Sequence, residues 1–257
     1  MGNQTFLQEM WQIFVDNQQN YLDGTLNTLM VSLIGTVVGL LIGILVGIVR
    51  TIPKSKSPVK QFCLKVSHAI LNAYVAIFRG TPMIVQATVV YYGTSIIWEG
   101  FNMTPMQAAL LVVSINTGAY MSEVVRGGIV SIDKGQFEAA RAIGMTHWQT
   151  MKEVVLPQAL RNVLPSVGNE FVINIKDTSV LSVISMNELY FTTSSIAGSN
   201  FMFFQTFFVT AIIYFLLTYT VTFILRLVER KIDGNVTYEL AGANQQQVAI
   251  IKDEVSV

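Results

Sequence analysis

Apolar residues run in long, almost charge-free stretches along this chain, unlike the short periodic segments of a soluble core. From Gly24 to Val49 no charged residue occurs, a length above the ~20 residues with which an α-helix crosses a bilayer. Stretches of the same kind cover about 66–98, 105–130, 164–186 and 201–225. Together they predict an all-α membrane protein of five transmembrane helices. In the first span Gly35, Gly39, Gly43 and Gly47 recur every four residues, so one stripe of that helix has almost no side chain and a neighbouring helix can approach it closely. Packing within the chain is preferred here over a seam between two copies.

Two spans are irregular. Arg79-Gly80-Thr81-Pro82 interrupts the second, so either a long helix kinks there or an elbow lies along the membrane and the crossing starts near Gly80. Sequence leaves both open. The fourth is the weakest in hydropathy, holding Asn169, Glu170, Asn174, Lys176 and Asp177. Residues 1–20 place Phe6, Met10, Trp11 and Phe14 near one helical face, which predicts a short interfacial helix on the outer side. Residues 232–257 are polar and Gln-rich and read as a flexible cytoplasmic tail.

Charge orders these spans. Arg50, Lys54, Lys56, Lys60 and Lys65 follow the first span with no acidic residue among them, and Arg226, Arg230 and Lys231 follow the fifth. Basic loops stay inside. The segments 95–104 and 187–200 carry Glu99 and Glu188 without a base, so they read as external loops. The N-terminus is then outside and the C-terminus cytoplasmic; omitting the fourth crossing would put the last basic cluster outside. No Lys or Arg occurs in the first 49 residues, so the basic region of a cleavable signal peptide is missing.

Composition agrees: 52% hydrophobic and 12% charged, against about 25% charged in an average soluble domain. Sixteen basic and sixteen acidic residues give a formal net charge of zero, with no basic field for nucleic acid. A single cysteine, Cys63, and two histidines, His68 and His147, offer no disulfide and no metal-ligand spacing. No nucleophile and base constellation occurs, and no Gly-Lys dipeptide of a phosphate-binding loop. No catalytic residue and no bound cofactor are expected.

The polar segment 131–161 stands between apolar spans. Its Glu138–Ala142 run favours helix, Gly144 supplies a left-handed stop, and a second helical run from Trp148 to Leu156 aligns Trp148, Met151 and Val155 before Pro157 closes it. In EAARAIGMTHWQTMKEVVLP, the residues Glu138, Ala139, Ala140, Gly144, Val154, Leu156 and Pro157 resemble the EAA loop of membrane subunits of bacterial ABC importers, with Val154 where Ile is commoner. The strings YVAIFRGTPMIVQATVVYYG and PSVGNEFVINIKDTSVLSVISMNEL resemble the polar amino acid branch of those permeases. The resemblance covers about residues 20–232. It implies a type I ABC importer transmembrane fold in the bacterial plasma membrane, with the EAA loop as coupling helix. It also implies two ATP-binding subunits that hold ATP and Mg²⁺, an extracytoplasmic amino acid-binding protein and a second permease subunit, the same chain or a related one.

Candidate chemistry lies in the spans. Glu170 has no basic residue at i±3 or i±4, and an ionised group in a membrane demands a cavity or a partner. One reading lines the translocation path with Glu170, Asn169 and Asn116, meeting the ammonium or cationic side chain of an amino acid; the other is an interhelical hydrogen bond from a protonated Glu170. Arg79 either bears on the substrate path or caps the cytoplasmic end of its helix. Glu123 and Arg126 are spaced for an i,i+3 ion pair. An ion-coupled secondary transporter using Glu170 and Glu123 is the competing function, disfavoured by five spans without an internal repeat. A membrane scaffold that only docks a cytosolic protein would leave the membrane charges unexplained.

Overall fold

The computed structural model describes residues 5–53, 57–97 and 102–233. Lys54, Lys56, Glu99 and the expected tail from residue 234 onward lie outside the described residues. Every described element is a helix: α1 (Phe6–Asp16), α2 (Gln18–Thr51), α3 (Pro58–Gly80), α4 (Met83–Ile97), α5 (Pro105–Val130), α6 (Lys134–Ala142), α7 (His147–Gln149), a π-helical stretch (Thr150–Val155), α8 (Leu156–Asp177), a 3₁₀ stretch (Thr178–Ile184), α9 (Leu189–Asn200) and α10 (Phe203–Asp233). Among them α2, α3, α5 and α10 are long and apolar enough to cross a membrane, and α4 is a shorter apolar helix.

The centre of the molecule is the seam between α2 and α5. Gly35, Gly39, Gly43 and Gly47 of α2 face Val113, Thr117, Met121 and Val125 of α5, one for one. A methyl group added at Gly43 would stand 2.8 Å from the Met121 carbonyl carbon and 3.0 Å from the Ser122 amide nitrogen. The two backbones are therefore nearly touching, and the glycine stripe serves packing within the chain. The matched increments also make α2 and α5 parallel.

Other contacts fix the remaining directions. α3 runs back along α2, with His68 Nε2 3.0 Å from the Val49 carbonyl. α8 runs against α5: Gly128 faces Val163, and Asn174 reaches Thr117. α10 runs against α8, with Gly168 beside Leu225. With α3 and α4 taken together, the chain makes five passes.

The second pass is broken at Thr81-Pro82, where α3 ends and α4 begins. In a continuous helix the Phe78 carbonyl would accept from residue 82, but proline has no N–H. Gln86 Nε2 (3.0 Å) and Asn116 Nδ2 (3.1 Å) donate to that carbonyl instead. Gln86, itself buried, also donates to the Thr81 carbonyl at 3.0 Å, so the elbow leaves neither carbonyl unpaired.

Two expectations are corrected. Pro157 does not close a helix, because the chain stays helical from His147 to Asp177. The π turn just before Pro157 widens the backbone where its ring would otherwise meet the carbonyl four residues earlier. Residues 187–200 are not an open loop either, since 189–200 form α9, whose Leu189, Thr193 and Ala197 are buried. Glu188 caps it, accepting from the Tyr190 and Phe191 amides at 2.8 and 2.6 Å. α1 packs on α10, with the Phe6 ring 5.5 Å from that of Phe204.

Candidate functional site: an exposed knob and a polar groove

The segment 131–161 folds as a knob with one buried and one exposed side. α6 starts where the Asp133 carboxylate accepts from the Gly135 amide at 2.7 Å. It ends where Met145 donates to the Ala140 carbonyl and Gly144 to the Arg141 carbonyl, each at 3.0 Å. Gly144 has φ +82°, the left-handed residue that this paired closure requires. Thr146 then opens the next helical run: its amide donates to Gln149 Oε1 at 2.9 Å while its hydroxyl accepts from the Gln149 amide at 3.3 Å, a reciprocal cap.

Below, Met151, Val155 and Ala159 join Val125 and Ile129 of α5 in a buried cluster, with Phe137 packed against it. Ala140 is buried as well. Outward stand Glu138, Ala139 and Gly144, together with Ile143 at 78% and Trp148 at 65% exposure. Val154 and Leu156 are half-buried, and Pro157 is exposed. The run is helical as its spacing suggests, but Trp148, ahead of the π-helical stretch, stands exposed while Met151 and Val155 within it are buried against α5. Exposed Ile143 and Trp148 form an apolar patch at this corner that the sequence reading did not single out.

Above the knob, Glu123 carries more than the pair with Arg126. Its Oε2 lies 3.0 Å from Arg126 Nη2, and its Oε1 lies 2.6 Å from Arg50 Nη1. Arg50 Nε donates in turn to Asn72 Oδ1 at 3.0 Å. One carboxylate thus ties α5 to α2 directly and to α3 through Arg50. Arg50 and Asn72 sit in other helices, so no local spacing could reveal them.

The polar residues of the spans separate into two groups. Asn116 is committed to the elbow, donating to Phe78 and, at 3.0 Å, to Gln86 Oε1. Arg79 stacks its guanidinium 5.3 Å from the Tyr120 ring centre. Among the described residues no hydrogen bond or ion pair joins either to α8. Asn174, buried, donates to Thr36 at 2.9 Å and to Thr117 at 3.0 Å, stitching α8 to both helices of the central seam. Glu170 is half-buried and makes neither hydrogen bond nor ion pair among the described residues. Asn169 lines a groove between α8 and α10 together with Val172, Thr222 and Arg226. Among the described residues no cluster of three or more His, Cys, Asp or Glu could hold a metal ion.

Residues 65–234 match the family model described as "Binding-protein-dependent transport system inner membrane component". The chain is similar to the glutamine transport system permease protein GlnP of Escherichia coli K12, 35% identical over 210 residues that cover 82% of this chain and 91% of that protein. It is 35% identical to the arginine transport system permease protein ArtQ of Bacillus subtilis 168, over 65% of this chain and 75% of that protein. Among solved structures, a chain of an amino acid ABC transporter crystallised with histidines superposes with a TM-score of 0.74 at 32% identity, covering 85% of this chain and 96% of the other. A chain of the inward-facing MetNI methionine ABC transporter shares the fold, with TM-score 0.70 at 20% identity over 84% and 98% of the two chains.

Proposed function

Since the chain belongs to the family of binding-protein-dependent transport system inner membrane components, we propose that it is the permease subunit of an ATP-driven importer of polar amino acids. Its fold is that of type I ABC importers. The N-terminus lies outside and the C-terminus in the cytoplasm, as the basic loops require. A second permease subunit completes the pathway, an extracytoplasmic binding protein delivers substrate, and two cytoplasmic ATP-binding subunits hold ATP and Mg²⁺ and carry out hydrolysis.

One observation carries the coupling role. Glu138, Ala139, Gly144, Ile143 and Trp148 project from a knob that Met151 and Val155 lock to α5. A closing ATP-binding subunit that grips the exposed side moves α5 and, through the glycine seam, α2 with it. This is rigid-element coupling between two packed arrangements. Ala140 and Leu156 hold the knob's shape, Val154 and Pro157 shape its return into α8, and Glu170 with Asn169 faces the substrate. Asn116 and Arg79 act on the path at one remove, by holding the elbow beside it.

Reconstitution in proteoliposomes with the ATP-binding subunits tests this. Amino acid uptake should require ATP and survive collapse of ion gradients. Uptake driven by an ion gradient without ATP would instead make the protein a secondary transporter. Glu123, already held by two arginines, is poorly placed for that role.

A further inference from the structure

The end of α2, the first turns of α3 and the knob together enclose a cavity of about 530 Å³, whose lining includes Ile52, Pro53, Leu64, Cys63, Lys60 and His147. Most of that wall is apolar. The lining holds a lysine and a histidine but no acidic residue, and no Asp or Glu occurs in the sequence between Asp23 and Glu99. An occupant that is apolar over much of its surface and anionic at one point fits both facts.

Depth narrows the choice. The charge-free stretch Gly24–Val49 extends about 39 Å as a helix, against a hydrocarbon core ~30 Å thick with headgroup layers of about 5–8 Å on either side. The Val49 end therefore reaches the headgroups. His68 marks the same level on α3, with Nε2 3.0 Å from the Val49 carbonyl, and from there α3 leads away from the core through Leu64 and Cys63 to Lys60, about 12 Å along the helix. The cavity thus lies at headgroup depth, with Leu64 nearer the core and Lys60 further from it. Beside it Val59, Phe62, Val66 and Ile70 form an apolar stripe on α3 at i, i+3, i+7 and i+11, exposed by 42–72%. That stripe leads from the cavity back to the core.

We propose that this cavity binds the glycerophosphate end of one anionic phospholipid, with the phosphate at Lys60 and His147 and the tails along Val66 and Ile70. A choline or ethanolamine headgroup would bring a second cation to a lining that already holds a base, so phosphatidylglycerol is preferred. The bound lipid touches α2, α3 and the knob at once, and so ties the knob's position to membrane composition. This site goes beyond the importer reading and shares with it only the cytoplasmic orientation of these helix ends.

Cys63, the only cysteine of the chain and exposed, reports on the cavity it lines. The full-length protein is placed in phosphatidylcholine nanodiscs with rising fractions of phosphatidylglycerol, and alkylation of Cys63 by a maleimide is timed; both leaflets are open to the reagent, so the result does not depend on orientation. Phosphatidylglycerol should slow the reaction. Lys60→Gln should raise the fraction needed for half-protection about fivefold, the factor one lysine supplies near an anionic surface, and Lys60→Arg should leave it unchanged. The control thiol is Ser131→Cys in a Cys63→Ser background: Gly47 faces Val125, which sets residue 131 at a depth similar to that of Cys63, yet it does not line the cavity. That thiol should react alike in all the nanodiscs. Equal slowing at both positions would reduce the effect to surface charge and overturn the proposal, as would a Cys63 rate indifferent to phosphatidylglycerol. Equal protection of detergent-solubilised protein by free glycerol 3-phosphate would make the site one for a solute, and protection by the ATP-binding subunits alone would give the cavity to them; either result overturns the lipid assignment. ATP-dependent uptake, measured separately, decides the importer reading whichever of these is found.

Discussion

Asn116 donates its side-chain amide to the Phe78 carbonyl at 3.1 Å, replacing a hydrogen bond that Pro82 cannot make. Leaving a buried acceptor unpaired costs about 1–3 kcal/mol; this carbonyl is part-buried and Gln86 still reaches it at 3.0 Å, which places Asn116→Ala near the lower end. Pro82→Ala restores a backbone donor. In thermal unfolding, Asn116→Ala should therefore lower the midpoint, and the double variant with Pro82→Ala should lose less than the two separate effects added together. Strict additivity would mean that the elbow does not depend on this carbonyl.

The glycine seam makes a sharper claim. A methyl at Gly43 meets Met121 and Ser122 backbone within 3.0 Å, and backbone in a helix cannot yield as a flexible side chain can. Overpacking of this kind costs about 1–3 kcal/mol. Gly93 of α4 has nothing within 4 Å of an added Cβ, and there alanine gains helix propensity of up to about 1 kcal/mol. Gly43→Ala should lower the unfolding midpoint while Gly93→Ala raises it or leaves it unchanged.

That seam was legible because a small residue every fourth position has few uses in an apolar helix. Hydropathy likewise marked α2, α3, α5 and α10, whereas the polar fourth span was inferred from the charge order of the loops and not from hydropathy. Three features were not legible, each for a stated reason. The Ser- and Thr-rich stretch that became α9 looks like a loop, yet the hydroxyls of Thr193, Ser194 and Ser195 each return to the carbonyl four residues back, so their polarity is spent inside the helix. Arg50 reaches Glu123 across 73 residues of sequence, beyond any local spacing. Pro157 reads as a helix stop unless the π turn before it is known.

The Glu123 cluster allows its two arginines to be ranked. The side chain of Arg50 is 15% exposed and that of Arg126 is 42% exposed, so solvent screens the second pair more. Arg50 also holds Asn72. Arg50→Met should therefore destabilise by about 1–3 kcal/mol, and Arg126→Met by less than about 1 kcal/mol. Denaturation of the two variants at low and at high salt checks the order, with the Arg126 effect fading as salt rises.

Gly144 gives the most direct test of the knob as a transmitter. Its φ of +82° costs a residue with a Cβ about 1–2 kcal/mol, with Asn the most tolerant replacement. A Cβ there meets nothing within 4 Å, so Gly144→Ala acts through backbone strain and not through a clash inside the permease. The strain falls on the corner between α6 and α7, away from the packed passes. Membrane insertion and folding should persist, while pull-down of the ATP-binding subunits and ATP-dependent uptake fall together. Gly144→Asn should fall between wild type and Gly144→Ala, and Gly144→Asp and Glu138→Lys should also weaken capture by placing altered charge on the exposed side. Full capture with Gly144→Ala would detach the knob's shape from subunit docking, and the coupling role would pass to another surface.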